Sequence, residues 1–343
     1  MRVGVVVIGR NEGVRLGKCL ESVIGPDRTV VYVDSGSTDD SVAMARAIGT
    51  EVLELDMSIP FCAARARNAG FAQLMQCDSQ VELVQFVDGD CEIAPDWLPT
   101  AAQVLSRGSE LAIVAGWLNE RFPEASIYNR IGDVEWNFSG AGEVESVGGV
   151  FMVRREAFDT VGGFDATLKA GEEPELCLRL RQKGWKILRI DHRMAWHDLA
   201  MTHFSQWWTR QVRNGYGSAD VGRRFGLHFF QRNNRRVKAW AIWLIALPLA
   251  GVGVGIEAGA PAGLLSVLSI LAIWPAQVVR VAIRNVHRAN SRSVALAYAF
   301  FMMAAYFPQM VGQVKYFADR LRRRSNRLIE YKAVKPPASR SDS

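Results

Sequence analysis

The chain has 343 residues, 49% of them apolar and 22% charged, so it can bury a sizeable core and is not a disordered protein. Residues 1–200 carry 20 basic and 30 acidic side chains, whereas residues 201–343 carry 21 basic and 5 acidic ones. A basic C-terminal part that is also apolar is typical of a protein at a membrane surface and argues against a nucleic-acid partner. Five cysteines without a Cys-x-x-Cys pair argue against a disulfide framework and a structural zinc site.

Strands and helices alternate along the first 90 residues. Apolar runs predict strands at residues 3–8, 30–33, 52–55 and 81–87, and helical spacing predicts helices at residues 11–24, 37–48 and 62–75. Repeated strand–helix units with buried strands predict an α/β fold with a doubly wound, mostly parallel sheet. Ligands of such sheets bind beyond the carboxyl ends of the strands.

Acidic side chains follow three of these strands. Glu12 comes after the first strand, Asp34 after the second, and Asp88-Gly89-Asp90 after the fourth. The first loop contains neither G-x-G-x-x-G nor G-x-x-x-x-G-K-[ST], which argues against a dinucleotide fingerprint and a P-loop. Because carboxylates repel a bare phosphate, a phosphate ligand at this edge needs a bridging cation. Oxygen ligands indicate Mg²⁺ or Mn²⁺.

Together these motifs resemble glycosyltransferase family 2. The resemblance covers roughly residues 1–217, and it implies a GT-A fold and an inverting sugar transfer from a nucleotide-sugar donor. It rests on six strings in the right order: Arg10-Asn11-Glu12, residues 33–41 (VDSGSTDDS), residues 66–70 (ARNAG), residues 87–90 (VDGD), residues 161–165 (VGGFD) and residues 171–176 (GEEPEL).

The resemblance implies four donor-binding residues. It places Glu12 and Asp34 around the nucleoside, with Asp34 on the base, and Arg67 close to the base and the diphosphate; Asp88 completes the set. A carboxylate at a strand end can accept the imide N–H of uracil, which cytosine does not offer. We therefore expect a UDP-sugar as the donor.

The resemblance also implies a metal site and a general base. Asp90 would make most of the metal contact, with Asp88 in support. His197 is a further candidate ligand, and a core or surface histidine is the preferred alternative. Inverting transfer needs a base, and crowded carboxylates raise one another's pKa towards the range useful for one. Glu173 is the expected base, and Glu172 is the alternative.

Three uncharged runs in the C-terminal part predict membrane segments, at residues 239–256, 259–279 and 294–314. Basic clusters precede the first run and flank the third. Because positive residues prefer the cytoplasmic side, an even number of crossings satisfies all of these clusters. We favour two crossings and a re-entrant or surface-lying third segment, with three crossings as the alternative. The N-terminus does not resemble a signal peptide. The catalytic part is therefore expected on the cytoplasmic side of the inner (plasma) membrane.

These features predict a division of the chain into four parts. They are a catalytic domain (residues 1–217), a basic juxtamembrane segment (residues 218–238), transmembrane or re-entrant helices (residues 239–314) and a basic disordered tail (residues 315–343).

The predicted function is transfer of one sugar to a membrane-associated acceptor. The acidic cluster favours a lipid-linked saccharide hydroxyl, as in bacterial exopolysaccharide or lipid-linked glycan assembly, because an ionised phosphate acceptor needs no base. Three alternatives stay open: a polyprenyl-phosphate sugar synthase, a nucleotidyltransferase and a non-catalytic sugar-binding membrane protein.

Overall fold

The computed structural model describes residues 1–136, 140–289 and 291–322. The chain divides into two compact units: an α/β unit (residues 1–124 and 132–200) and a helical unit (residues 125–131 and from 201 onward). The α/β unit ends before residue 217, where we predicted the catalytic domain to end. The reason is that residues 204–224 form one helix that packs within the helical unit.

The α/β unit is built on a sheet of nine strands, counted over the described residues. The strands are β1 (Val3–Gly9), β2 (Thr29–Asp34), β3 (Glu51–Glu54), β4 (Leu83–Asp88), β5 (Cys91–Ile93), β6 (Leu111–Glu120), β7 (Gly142–Glu143), β8 (Phe151–Arg154) and β9 (Lys186–His197). The helices are α1 (Val14–Val23), α2 (Ser41–Ala47), α3 (Ala63–Cys77), α4 (Trp97–Arg107), α5 (Ile127–Trp136), α6 (Arg155–Thr160) and α7 (Glu172–Gln182). A 3₁₀ turn, Pro123–Ala125, precedes α5, which begins among residues of the helical unit.

The α/β class is confirmed, and the sheet is mixed. Its order is β3-β2-β1-β4-β8-β6-β9-β5, with β7 paired to β9. The β3-β2-β1-β4 half is parallel, as predicted, and β6 and β9 are also parallel. Strand β8 runs antiparallel to β4 and β6, and β5 and β7 run antiparallel to β9. The periodicity of a buried strand reports its burial and not its direction, so the sequence did not predict this second half.

The strand register brings the acidic loops together. Strand β1 lies between β2 and β4, with Gly9 opposite Asp34 and Ile8 opposite Asp88. Both carboxylates therefore flank the end of β1. Helix α3 lies close against β1 and β2 because Gly70 has no side chain: a Cβ there would overlap the side chains of Val6 and Val33.

The described part of the helical unit is built mainly of helices. They are α8 (Phe204–Arg224), α9 (His228–Ala241), α10 (Leu247–Ala258), α11 (Ala260–Asn285), α12 (Arg292–Ala304) and α13 (Tyr306–Leu321), with a π-helical turn at Ile242–Ala246. Within the described residues, two helical segments are long and apolar enough to cross a membrane, by length and composition: Ala260–Asn285 and Arg292–Leu321. The runs predicted at residues 259–279 and 294–314 lie almost entirely within them. The run at residues 239–256 is divided among the end of α9, the π-helical turn and α10.

The last helix extends into the predicted tail. Residues 315–321 continue α13, where Tyr316 is buried and its ring packs edge-on against that of Tyr216 (5.4 Å between centroids). This contact explains why the helix continues past residue 315. Residues 323–343, where we predicted the rest of the disordered tail, lie outside the described residues.

Candidate active site

Asn11 links the loops that follow β1 and β2 through hydrogen bonds. Its φ of 55° lies in the left-handed region, which asparagine tolerates better than most residues. Its side chain accepts a hydrogen bond from the backbone N–H of Thr38 (2.7 Å), and its own N–H donates to Ser37 Oγ (2.9 Å). The next residue, Glu12, is buried and forms an ion pair with Arg15 (2.8 Å). Glu12, which we predicted to bind the nucleotide-sugar donor, therefore lies in a loop whose conformation these hydrogen bonds stabilise.

The carboxylate of Asp34 is buried at the end of β2 and is engaged by its own loop. One oxygen accepts hydrogen bonds from the backbone N–H groups of Gly36 (2.9 Å) and Ser37 (2.8 Å). The other accepts from the hydroxyls of Tyr32 (2.9 Å) and Ser37. Burial and the charge of Asp34 raise the pKa of Tyr32, which stays a donor. Contact between Asp34 and the nucleotide base stays a prediction. Such a contact would have to share or replace these hydrogen bonds.

Arg67 gathers three carboxylates from distant parts of the chain. Its guanidinium, 2% exposed, forms ion pairs with Asp88 (2.9 Å), Glu172 (3.1 Å) and Glu173 (3.0 Å). Gly149 leaves room for this arrangement, because a Cβ there would overlap Arg67 Nη2 and Asp88 Oδ2. Burial lowers the pKa of Arg67, and the three carboxylates more than offset this, so it is raised overall. Arg67 therefore joins the Asp-Gly-Asp loop to the start of α7.

Glu173 has the protonation chemistry of a general base. Its pKa is raised to about 7, first by burial and then by the negative charge of Glu172, while Arg67 opposes the shift. The side chain of Glu173 is 15% exposed, whereas that of Glu172 is 5% exposed. A carboxylate that is half ionised near neutral pH can accept a proton from an attacking hydroxyl.

A second cluster lies at the end of β9. His197 Nε2 is 3.3 Å from Asp90 Oδ2, and β5 pairs with β9 so that Cys91 lies opposite His197. Carboxylate, thiol and imidazole ligand atoms of these three buried residues all lie within 4.8 Å of one another. The ring of Trp136 packs edge-on against that of His197 (4.3 Å between centroids). This donor set fits a divalent cation.

Glu120 lies behind this cluster. It is buried, and the β6–β9 register places it opposite His197, with Glu120 Oε2 3.8 Å from His197 Nδ1. The same carboxylate accepts hydrogen bonds from the backbone N–H groups of Leu199 (3.3 Å) and Phe122 (3.2 Å). Metal-binding histidines commonly have such a carboxylate near the second ring nitrogen, where it orients the ring.

One cavity is lined by Asp88 of the Arg67 cluster, by Cys91 and His197 of the second cluster, and by Gly149 and Trp136. Of the predicted residues, the structure gathers Asp88, Glu172 and Glu173 around Arg67 and brings Asp90 to His197, while Glu12 and Asp34 bond within the first two loops. Asp88, which we predicted to support the metal, faces Arg67 and lies outside the Asp90 cluster, because the buried guanidinium holds it.

Sequence reasoning missed three residues of this site: Cys91, Glu120 and Trp136. Cys91 directly follows a predicted ligand, which was its only signal. The other two are placed by contacts with β9 that join residues more than 50 positions apart. Such pairings leave no trace in the local pattern.

Comparison with known proteins identifies the family of the chain. The family described as Glycosyl transferase family 2 matches residues 4–162, and Glycosyl transferase family group 2 matches residues 86–309. The fold and the matches define an enzyme that transfers a sugar. The chain belongs to glycosyltransferase family 2, and the resemblance that the motifs indicated is confirmed. A role of the chain in bacterial exopolysaccharide or lipid-linked glycan assembly stays a prediction.

Individual relatives are distant. Glycosyltransferase AglE of Haloferax volcanii is 25% identical over 259 residues, which cover 71% of this chain and 80% of that protein. Mannosyltransferase PcManGT from Pyrobaculum calidifontis, solved in complex with GDP-Man and Mn²⁺, has a TM-score of 0.56 at 16% identity and covers 93% of this chain and 88% of that one. GalNAc-T7, solved with UDP, GalNAc and Mn²⁺, has a TM-score of 0.50 at 16% identity, over 70% of this chain and 51% of that one. The two structures share the fold.

Proposed function

We propose that this glycosyltransferase moves one sugar, with inversion, from a nucleotide-sugar to a hydroxyl of a membrane-associated acceptor. The observation that carries the proposal is the Arg67 cluster: a single buried cation holds Asp88, two residues before Asp90, beside Glu172 and Glu173. The family assignment favours transfer over the nucleotidyltransferase and non-catalytic alternatives that the sequence left open.

A nucleotide-sugar and a divalent metal are supported by two observations. PcManGT and GalNAc-T7 share this fold and were solved with a nucleotide or nucleotide-sugar and Mn²⁺. In this chain Asp90 and His197 would hold the cation, Mg²⁺ or Mn²⁺, with Asp88 and Arg67 nearer the donor. When bound, the cation would neutralise negative charge on the diphosphate leaving group. We keep UDP as the expected nucleotide.

The base in this proposal is Glu173. Its carboxylate takes the proton of the acceptor hydroxyl while the acceptor oxygen bonds to the anomeric carbon and the bond from that carbon to the diphosphate oxygen breaks. Glu172 is the competing residue. Its deeper burial favours a role in which its negative charge raises the pKa of Glu173. A base of this kind supports a hydroxyl acceptor, such as that of a lipid-linked saccharide, over an already ionised polyprenyl phosphate.

For the membrane arrangement we propose that α10 and α11 cross as a hairpin and that α13 does not cross. Helices α10 and α11 touch through Gly255 and Gly263, where a Cβ would overlap backbone. Helix α13 packs along α8 and α9, and its Gln309 and Gln313 donate to Gln211 (3.0 Å) and Asn234 (3.0 Å) of those helices.

The composition of these partner helices supports the same arrangement. Helices α8 and α9 carry many arginines, including the exposed Arg232, Arg235 and Arg236. Charged helices are costly in hydrocarbon and favourable at an anionic cytoplasmic surface, so α13 would lie at the depth of that surface. The catalytic unit would then work at the cytoplasmic face of the inner membrane.

The proposal is tested with full-length protein in detergent, Mn²⁺, membrane lipid extract and a panel of UDP-, GDP- and dTDP-sugars. Release of nucleoside diphosphate that requires both lipid and metal is the expected result, and it identifies the donor. If pure polyprenyl phosphate is the only effective acceptor, the acceptor group is an ionised phosphate and not a saccharide hydroxyl. Release of pyrophosphate, or donor cleavage that ignores metal and lipid, would overturn the proposal.

A further inference from the structure

We propose that the Cys91 thiol is a third ligand of the metal, so that the site is an Asp–Cys–His site with a preference for thiophilic divalent ions such as Zn²⁺, Co²⁺ and Cd²⁺. This inference rests on the proposed function, which places a cation at Asp90 and His197. It adds a ligand that the motif Asp88-Gly89-Asp90 does not contain.

The backbone fixes the thiol beside the other two ligands. Cys91 opens the three-residue strand β5 and lies opposite His197 in the antiparallel pair with β9. The backbone N–H of Asp198 donates to the carbonyl of Asp90 (2.9 Å), which ties the two chain segments together one position further on. Cys91 is 1% exposed, so its thiol faces the cluster and not bulk water.

The spacing of the ligand atoms suits one ion. Bond lengths of about 2.1 Å for oxygen and nitrogen and 2.3 Å for sulfur place tetrahedral ligand atoms about 3.4 to 3.6 Å apart. His197 Nε2 lies 3.3 Å from Asp90 Oδ2, and Cys91 Sγ lies 3.7 Å from the other carboxylate oxygen, Asp90 Oδ1. The third separation, from Sγ to the imidazole nitrogen, is at most 4.8 Å. Small side-chain rotations therefore bring all three atoms to one ion.

The donor set decides which ions bind well. Mg²⁺ prefers oxygen ligands in octahedral geometry, whereas sulfur and nitrogen ligands favour zinc and its neighbours. On binding, the ion bonds to the thiolate and the thiol proton leaves to water. Three protein ligands leave a position for an oxygen of the donor diphosphate, as in catalytic zinc sites. The affinity order expected here is Zn²⁺, Co²⁺ and Cd²⁺ first, then Mn²⁺, then Mg²⁺.

Cobalt provides a readout that does not depend on turnover. Metal-stripped, full-length protein in detergent is titrated with Co²⁺, and the sulfur-to-cobalt charge-transfer band in the near ultraviolet is recorded beside the visible d–d bands. The wild type is expected to show both. Cys91→Ser should lose the charge-transfer band, keep weak d–d bands, and bind Co²⁺ at least about 100-fold more weakly, since even outer-shell changes cost about 10- to 100-fold.

Control variants distinguish loss of the Cys91 thiol as a ligand from a general loss of structure. Cys62→Ser changes a thiol that is equally buried and bonds to the Ala166 carbonyl (3.4 Å), and it should leave both signals intact. Cys91→Asp restores an oxygen ligand, and it should move the preference from Co²⁺ towards Mn²⁺ and Mg²⁺ without the charge-transfer band. If Cys91→Ser does not fold, Cys91→Asp carries the test.

The experiment distinguishes failure of the proposed role of Cys91 from failure of the proposed function. Tight Co²⁺ binding with d–d bands and no charge-transfer band in the wild type would overturn the role of Cys91 and leave the Asp90–His197 site standing. Absence of Co²⁺ binding, together with metal-independent release of nucleoside diphosphate, would overturn the metal part of the proposed function as well. A charge-transfer band that survives Cys91→Ser would also overturn the role of Cys91.

Discussion

The two units bury polar groups in opposite ways. In the α/β unit the buried polar groups beside the cavity are charged: Arg67 faces three carboxylates, and Asp90 contacts His197. In the helical unit a network of neutral groups bonds between helices, in which Asn234 bonds to Ser218 and Gln313. The buried acid Asp220 of this unit pairs with Arg224 of its own helix. Buried charges are costly and sensitive to the loss of a partner, whereas paired amides mainly fix which helix faces which. We propose that the charged groups serve the chemistry and that the neutral groups set the architecture.

The largest effect is expected on catalysis. Glu173→Gln keeps the shape of the side chain and removes the base, so the rate of sugar transfer should fall by about 10²- to 10⁴-fold. Initial rates of nucleoside diphosphate release measure it, with Glu156→Gln, an exposed acid on α6, as the control. A fall of the same size in Glu172→Gln with little change in Glu173→Gln would transfer the role to Glu172.

Removing the central cation should cost stability as well as activity. Arg67→Met leaves Asp88, Glu172 and Glu173 without their shared partner and should lower the free energy of unfolding by about 3–5 kcal/mol. Urea or thermal unfolding measures the change. Arg46→Met breaks the exposed pair with Glu54 (2.6 Å) and should cost less than about 1 kcal/mol. Equal costs in the two variants would refute the special role of the buried cluster.

In the helical unit, close packing should matter more than charge. A Cβ at Gly312 of α13 would overlap the Val212 carbonyl oxygen of α8, so Gly312→Ala should destabilise the unit by about 1–3 kcal/mol. Gly253→Ala is the matched control because nothing lies within 4 Å of its added Cβ. It should be neutral or stabilising by up to about 1 kcal/mol. Thermal melting in detergent distinguishes the two.

Loss of the amide network should have an effect of about the same size. Asn234→Leu removes the acceptor of the Ser218 hydroxyl and of the Gln313 amide and should cost about 1–3 kcal/mol. The exposed Gln231→Leu on the same helix should stay within about 0.5 kcal/mol of the wild type. Unfolding curves for both variants test this. Wild-type stability in Asn234→Leu would mean that the network does not fix the position of α13.

The smallest effect is a displaced pH profile. A base with a raised pKa must lose its proton to work, so kcat/KM should rise with pH through about 7 in the wild type. Glu172→Gln removes a negative charge that raises the pKa of Glu173, so the rising limb should move to lower pH. A limb that stays in place, or moves to higher pH, would show that Glu172 does not tune the base.

The sequence predicted the parts of the site that are local. A buried strand followed by Asp34 or by Asp88-Gly89-Asp90 is visible in the chain, and so is the acidic start of α7. The parallel order of β2, β1 and β4 then brings those strand ends together, as sheets of repeated strand–helix units do. This half of the fold and its acidic residues were therefore predictable.

The rest depends on pairings between distant segments. Strand β5 has only three residues, and its pairing with β9, about 100 residues away, puts Cys91 beside His197. The ion pairs of Arg67 likewise require that α3 and α7 meet, and the local periodicity does not indicate that these two helices contact each other. The end of α13 was missed because basic composition suggested a tail, while the burial of Tyr316 against Tyr216 extends the helix.

The most direct test of the account is the anomeric configuration of the product. The transfer is run to completion with the donor that the panel identifies, and the anomeric proton coupling of the isolated product is compared with that of the donor. Direct attack assisted by Glu173 predicts inversion, so an α-linked donor gives a β-linked product. A product that retains the configuration of the donor would contradict the account.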